Sequence, residues 1–205
     1  MKIYGNIQTR AFRCVWLAEE LELEYEFVPI NFSNGDHRQP WFLEINPNGK
    51  VPAFEHQGLK LFESGAICNY LASLRPDAGL IPSSSQEKAL YDQWMFFTMA
   101  ELEQPLWSMG KHKFALPAEY RIPQMRETAL FEWQRALGII EKQLEGGGSY
   151  ILGGTISVPD IVIGQTLQWA RSFKVPIDSD VVNAYRKRLT ARPGFQKVVS
   201  KYIKT

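Results

Sequence analysis

The residues best suited to chemistry lie between Asn46 and Leu71, in NPNGKVPAFEHQGLKLFESGAICNYL. Asn48-Gly49 favours a turn with positive φ, and Val51, ahead of Pro52, is pushed towards an extended backbone. An extended segment can pair its own N–H and C=O with a peptide-like ligand. Glu63 offers a carboxylate to an ammonium group. Ser64 stands where a helix should open, because Ile67, Tyr70, Leu71 and Leu74 repeat behind it at helical spacing. The first turn of a helix carries N–H groups with no partner inside the helix and the positive end of its dipole, which together suit a carboxylate. A pairing edge, a carboxylate site and an ammonium acceptor in one short stretch suit a zwitterion that contains a peptide bond.

The flanking sequence predicts the elements that must hold these groups. Gln57-Gly58 divides PAFEH from LKLF, two runs suited to an antiparallel hairpin. Upstream, Lys2-Ile3-Tyr4 reads as a strand ending at Gly5-Asn6, and residues 11–23 as a helix. Tyr25 to Ile30 alternates like a strand, with Pro29 favouring a sheet edge, and GDHRQPWFLEI is at best a short irregular helix. The order is β-α-β-α-β-β-α. Proline, serine and glycine in RPDAGLIPSSS mark a boundary, and the pattern beyond it is all helical. Tyr91, Trp94, Met95, Thr98 and Leu102 form one apolar stripe that Phe96 and Phe97 widen, and Pro105 interrupts the run. Leu130, Trp133, Leu137, Ile140 and Leu144 make a bundle seam. Ser157 and Asp160 form a variant capping box ahead of a helix apolar on most faces.

A chain of 205 residues with 45% hydrophobic content can build one large core or two small ones. Its net charge of +1 gives no footprint for nucleic acid or an anionic membrane. No secretory signal or membrane-spanning run is expected. Cys14 and Cys68 form no CxxC, and His37, His56 and His112 are not closely paired, so neither a disulfide framework nor a metal site is expected and a reducing cytosol is the default. Each cysteine lies among apolar helical neighbours and reads as a buried, inert thiol.

GKVPAFE followed by FESGAICNYL resembles the glutathione-binding half of the cytosolic glutathione transferase family, and the similarity runs through essentially the whole chain. The resemblance implies a thioredoxin-like α/β domain at residues 1–75, in which the proline of the Val51-Pro52 pair is cis, a linker at 76–85 and an all-helical domain at 86–205. It implies glutathione as co-substrate without a metal, a small hydrophobic electrophile as second substrate, a homodimer and a cytoplasmic, detoxifying role. Peroxide reduction, isomerisation or reductive dehalogenation with glutathione are alternative outcomes. A non-catalytic assembly module, like the transferase-like domain of the elongation-factor gamma subunit, is another.

By the same resemblance Glu63 and Ser64 match the pair that holds the γ-glutamyl end, and Val51 and Pro52 the edge that meets the cysteinyl peptide unit. Lys50 and His37 match positions that contact the glycyl carboxylate. Glutathione's thiol must ionise to attack, and a free thiol titrates near ~8.5, so a donor and a cation are needed at the turn after the first strand. Here the chain departs from the common pattern. Gln8 falls where relatives often carry Ser, Tyr or Cys, and TRAFR resembles a subgroup, read as bacterial-type, with a hydroxyl residue followed by arginine. Thr9 is then the expected hydroxyl donor, Arg10 its electrostatic support and Gln8 the rival donor. Ordinary N-capping explains Thr9 and Ser64 as well, and Arg10 and Arg13 read equally as solvated charges. The lack of a cysteine at the turn argues against a mixed disulfide as the main chemistry.

Overall fold

The computed structural model describes residues 1–203. Strands β1 (Lys2–Gly5), β2 (Glu26–Pro29), β3 (Ala53–His56) and β4 (Leu59–Phe62) form one sheet in the order β2-β1-β3-β4. β1 runs parallel to β2 through the crossover helix α1 (Ala11–Glu20), since parallel strands need such a connection. β3 is antiparallel to both β1 and β4. The β3–β4 hairpin turns at Gln57 and Gly58 with φ of 50° and 84°, the doubly positive geometry that matches strand twist. A single turn of three residues and the short α2 (Pro40–Leu43) precede β3, and α3 (Ser64–Ser73) follows β4. This is the thioredoxin-like order expected. β2 with Pro29 lies at the edge, and the Val51-Pro52 bond is cis. Ile3, Val15, Leu17, Phe54, Ile67 and Leu71 are fully buried where the sheet meets α1 and α3.

α1 stops at Glu20 rather than at the expected Leu23. Glu22 adopts φ 52°, and the Leu23 N–H turns back to donate to Ala18 O at 3.0 Å, which closes the helix.

By packing, the chain falls into two compact units, Met1–Ile81 with the segment from Thr190 on, and Pro82–Leu189. In the first unit α9 (Pro193–Tyr202) covers α1. Phe195 meets Phe12 and Trp16 with ring centroids 5.2 and 5.0 Å apart. Arg192 pairs with Glu20 at 2.9 Å, and a Cβ on Gly194 would lie 2.6 Å from Glu20 Cγ, so glycine permits the approach. The buried Glu19 carboxylate accepts from Tyr25 Oη at 2.6 Å and pairs with Lys197 at 2.6 Å and Lys201 at 3.4 Å.

The second unit is all helical: α4 (Ser85–Phe97), a wide π-type turn (Thr98–Leu102), α5 (Gln104–Gly110), α6 (Met125–Glu145), α7 (Val158–Ser172) and α8 (Asp180–Thr190). The stripe from Tyr91 to Leu102 is buried, but Phe96 is 70% exposed and does not widen it, because it lies on the opposite side of α4 from Trp94. Asp160, fully buried at the start of α7, accepts from Ser157 N–H, Ser157 Oγ, Ile151 N–H and Tyr185 Oη at 2.6–2.8 Å. Among the described residues no helix is long and apolar enough to cross a membrane.

Burial pushes the Glu19 carboxyl up, yet the hydrogen bonds from Lys197, Tyr25 and Lys201 outweigh it and hold it below its ordinary value. A depressed carboxyl stabilises the fold above its unfolded value of ~4.3 and loses that contribution as pH falls through the folded value. Protection of the α9 amides, taken relative to their intrinsic exchange rates, should therefore fall as pH drops below the unfolded carboxyl value of ~4.3. Glu19→Gln should flatten that acid dependence and raise α9 exchange at neutral pH.

Candidate functional site

Asn6 builds the turn after β1. Its Oδ1 accepts from Gln8 N–H at 2.9 Å, and its carbonyl accepts from Thr9 N–H at 3.0 Å and Thr9 Oγ at 2.6 Å. Thr9 Oγ in turn accepts from Ala11 N–H at 3.2 Å. Thr9 thus serves the first N–H of α1 from the residue before the cap position, which is Arg10, and its one hydroxyl hydrogen is directed into the turn. Gln8 is exposed, while Thr9 and Arg10 are half-buried, with Arg10 at the residue that opens α1.

Gly5 lets the start of α1 pack onto β1, since a Cβ there would collide with Ala11, and the Val51 loop lies beside it, 3.8 Å from the same point. Val51 is half-buried and precedes the sheet ladder, whose register starts at Ala53, while Pro52 is buried behind it. Asn46, 2% exposed, sets the approach, with Nδ2 donating to Lys50 O at 2.5 Å and Oδ1 accepting from Asn48 N–H at 3.0 Å. Gly49 has φ 60°, and a Cβ on it would lie 3.1 Å from the His37 carbonyl. His37 and the exposed Lys50 therefore flank the same turn. The His37 ring packs edge-on to Phe32 at 5.2 Å, and its buried Nδ1 has no hydrogen-bond partner among the described residues.

Phe62 pairs with Ala53, so the chain leaves β4 beside the Val51 loop. Glu63 then takes φ 68°, a left-handed backbone that is rare for a residue with a side chain and concentrated at functional sites. Its side chain is exposed, and Ser64, 3% exposed, opens α3. The N–H groups of Ser64, Gly65 and Ala66 precede the first intrahelical bond, which runs from Ile67 N–H to Glu63 O at 3.0 Å.

For Arg13 the sequence left two readings open, and the solvated charge is the one that fails. Arg13 is 0% exposed, and its Nη1 donates to Ser64 Oγ at 3.2 Å. Its neighbours Ala11, Phe12, Cys14, Val15 and Trp16 were the available signal, since a charge inside an unbroken apolar run has no solvent face to occupy. Asn6 and Asn46 also went unassigned, although asparagine beside a turn commonly bonds backbone two residues on, as both do here. Cys14 and Cys68, remote in sequence, have sulfurs 4.0 Å apart, and Cys14 Sγ lies 3.8 Å from Ser64 O. Both thiols are unbridged and fully buried. Burial pushes the Cys14 thiol well up, and the neighbouring Cys68 adds to the effect.

Chemically, the first unit therefore presents the starts of α1 and α3, bridged by Arg13, next to an extended edge at Val51. The two helix openings can stabilise anions, Glu63 can receive a cation, and the edge can pair with a peptide unit.

Residues 1–73 match the family model described as glutathione S-transferase, N-terminal domain, and residues 126–195 match its C-terminal domain counterpart. The chain is 30% identical over 215 residues to glutathione S-transferase PARB of Nicotiana tabacum, covering 100% of this chain and 99% of that protein. It is 31% identical over 201 residues to elongation factor 1-gamma of Prunus avium, covering 95% of this chain but 46% of that protein. The structure of glutathione S-transferase-I bound with lactoylglutathione aligns with a TM-score of 0.81 at 28% identity, over 97% of this chain and 98% of that one.

Two buried thiols, one of them poor at ionising, should resist modification. Native protein at pH 8 should incorporate little iodoacetamide, and unfolding in urea should expose both cysteines to rapid alkylation. Mass spectrometry of the labelled protein checks this.

Proposed function

The chain belongs to the glutathione S-transferase family, and we propose that it acts as a glutathione transferase that adds the glutathione thiolate to a small hydrophobic electrophile. The observation that carries this reading is the junction at Glu63-Ser64. A left-handed Glu63 delivers an exposed carboxylate and the first-turn N–H groups of α3 to the same place, beside the Val51 edge. Ser64 would hold the γ-glutamyl carboxylate through its N–H and hydroxyl, and Glu63 the adjacent ammonium. Val51, presented by the cis Pro52, would pair with the cysteinyl peptide unit. Lys50 and His37 would meet the glycyl carboxylate, and the unpartnered His37 Nδ1 supports a polar role there.

In the reaction the thiol loses its proton to solvent, and the sulfur bonds to the electrophilic carbon as the leaving group departs with its electron pair. Arg10 and the start of α1 would lower the thiol's pKa by placing positive charge near the sulfur. Thr9 would donate to the thiolate by turning its hydroxyl away from the Asn6 carbonyl, a rotation about one bond that leaves the Thr9 N–H to Asn6 contact in place. Gln8 is the rival donor. The proposed functional division runs 1–75 for glutathione binding, 76–85 as linker and 86–205 as helical domain, in a cytoplasmic homodimer. The bacterial-type assignment rests on the Thr9-Arg10 turn.

The similarity to elongation factor 1-gamma favours a second reading, a non-catalytic assembly module. Calorimetry with glutathione and turnover of a model aryl halide separate the two, because the module would show no turnover.

Glu63→Ala should weaken glutathione by about tenfold or more, as expected when a charge-assisted hydrogen bond of ~1.5–3 kcal/mol is lost. Calorimetric affinity within about twofold of the parent would remove Glu63 from the site.

Thr9→Val should raise the pKa of the bound thiol by about one to two units, from the same bond energy at ~1.4 kcal/mol per unit. Affinity for glutathione should change little, and Thr9→Ser should restore the parent value. Thiolate absorbance against pH is the readout. An unmoved Thr9→Val alongside a large shift in Gln8→Leu or Arg10→Ala would transfer the role to that neighbour.

A further inference from the structure

A buried cation stands where two helices open. Arg13 is 0% exposed, lies in the first turn of α1 and reaches the first residue of α3 through its bond to Ser64 Oγ.

The geometry of the bond adds direction. A guanidinium carries N–H donors and no acceptor. With Arg13 donating to the Ser64 oxygen, the serine hydrogen finds no acceptor on that side and must be donated elsewhere. Cys14, one residue along the same helix, lies 3.8 Å from the Ser64 carbonyl, so α1 holds this serine at both its side chain and its backbone.

We infer that Arg13 is a positioning residue for a ligand carboxylate at α3: by donating to the Ser64 oxygen it turns the Ser64 hydroxyl into an outward donor. This rests on the reading of Ser64 as the seat of the γ-glutamyl carboxylate. Arg13 acts through Ser64 and need not touch the ligand.

The test is calorimetric titration of the parent, Arg13→Gln, Ser64→Ala and the double variant with two tripeptides. One is glutathione, and the other is 4-aminobutyryl-cysteinyl-glycine, the same molecule without the α-carboxylate. Arg13→Gln should weaken glutathione by about tenfold while leaving the truncated tripeptide within about twofold. With Ser64→Ala already present, the arginine substitution should have a much smaller effect. In turnover, the KM for glutathione should rise more than kcat falls. Equal losses for both tripeptides, or an undiminished loss in the Ser64→Ala background, would reduce Arg13 to general structural support and overturn the inference. If Arg13→Gln does not fold, Arg13→Lys keeps the charge without the fork and should show the same selective loss at smaller size. Equal losses there overturn it too. A parent that binds neither tripeptide, or both equally well, overturns the underlying assignment of Ser64 and this inference with it.

Discussion

A helix cannot satisfy its own first turn, and in this protein two helices open side by side. The unmatched N–H groups of α1 and α3 must find water, side chains or a ligand. Most of the first unit can be understood as the means of holding those two openings close. The central strands β1 and β3 feed the two ends, one through the Asn6 turn and the other through the β4 hairpin. Gly5 permits the close approach of Ala11 at the start of α1, and Arg13 bridges from one opening to the other. Unmatched N–H groups of two helix openings come together as a result, an arrangement that suits an anionic group of a ligand.

Much of this was legible in the sequence because it depends on short-range chemistry. Asn48-Gly49 and Gln57-Gly58 announce their turns by residue type, and both glycines adopt positive φ. The Ser157–Asp160 cap and the apolar helix behind it follow from spacing alone. What was not legible depends on long-range placement. Arg13 and Ser64 are 51 positions apart, so neither could reveal that a charged side chain had become a buried support. The adjacency of Cys14 and Cys68 is the same kind of fact, since two helices of different origin bring the sulfurs together. Phe96 looked like core by composition but lies on the exposed side of α4. The early end of α1 depended on Glu22 accepting a left-handed backbone, for which glutamate gives no signal.

Thr9 illustrates how one small side chain can serve two purposes. As built, its hydroxyl closes a ring of contacts among Asn6, Thr9 and Ala11 that starts α1 cleanly. The same atom lies at the turn where an ionising sulfur would need a donor. Threonine can exchange one acceptor for another by rotation about a single bond, and the backbone contacts of the turn do not depend on it.

The last described helix, α9, lies against the first, α1, with all of the second unit between them in sequence. During synthesis the apolar surface of Phe12 and Trp16 must therefore wait for Phe195, which the ribosome adds only after the whole second unit. Long-range closure of this kind slows assembly and leaves a sticky surface for chaperones or neighbours to find. A ribosome that stalls within the helical unit would release a chain whose sheet and site residues are all present but whose α1 lacks its cover. For this protein, translation through the segment that follows the helical unit is thus a condition for burying the helix that opens the site.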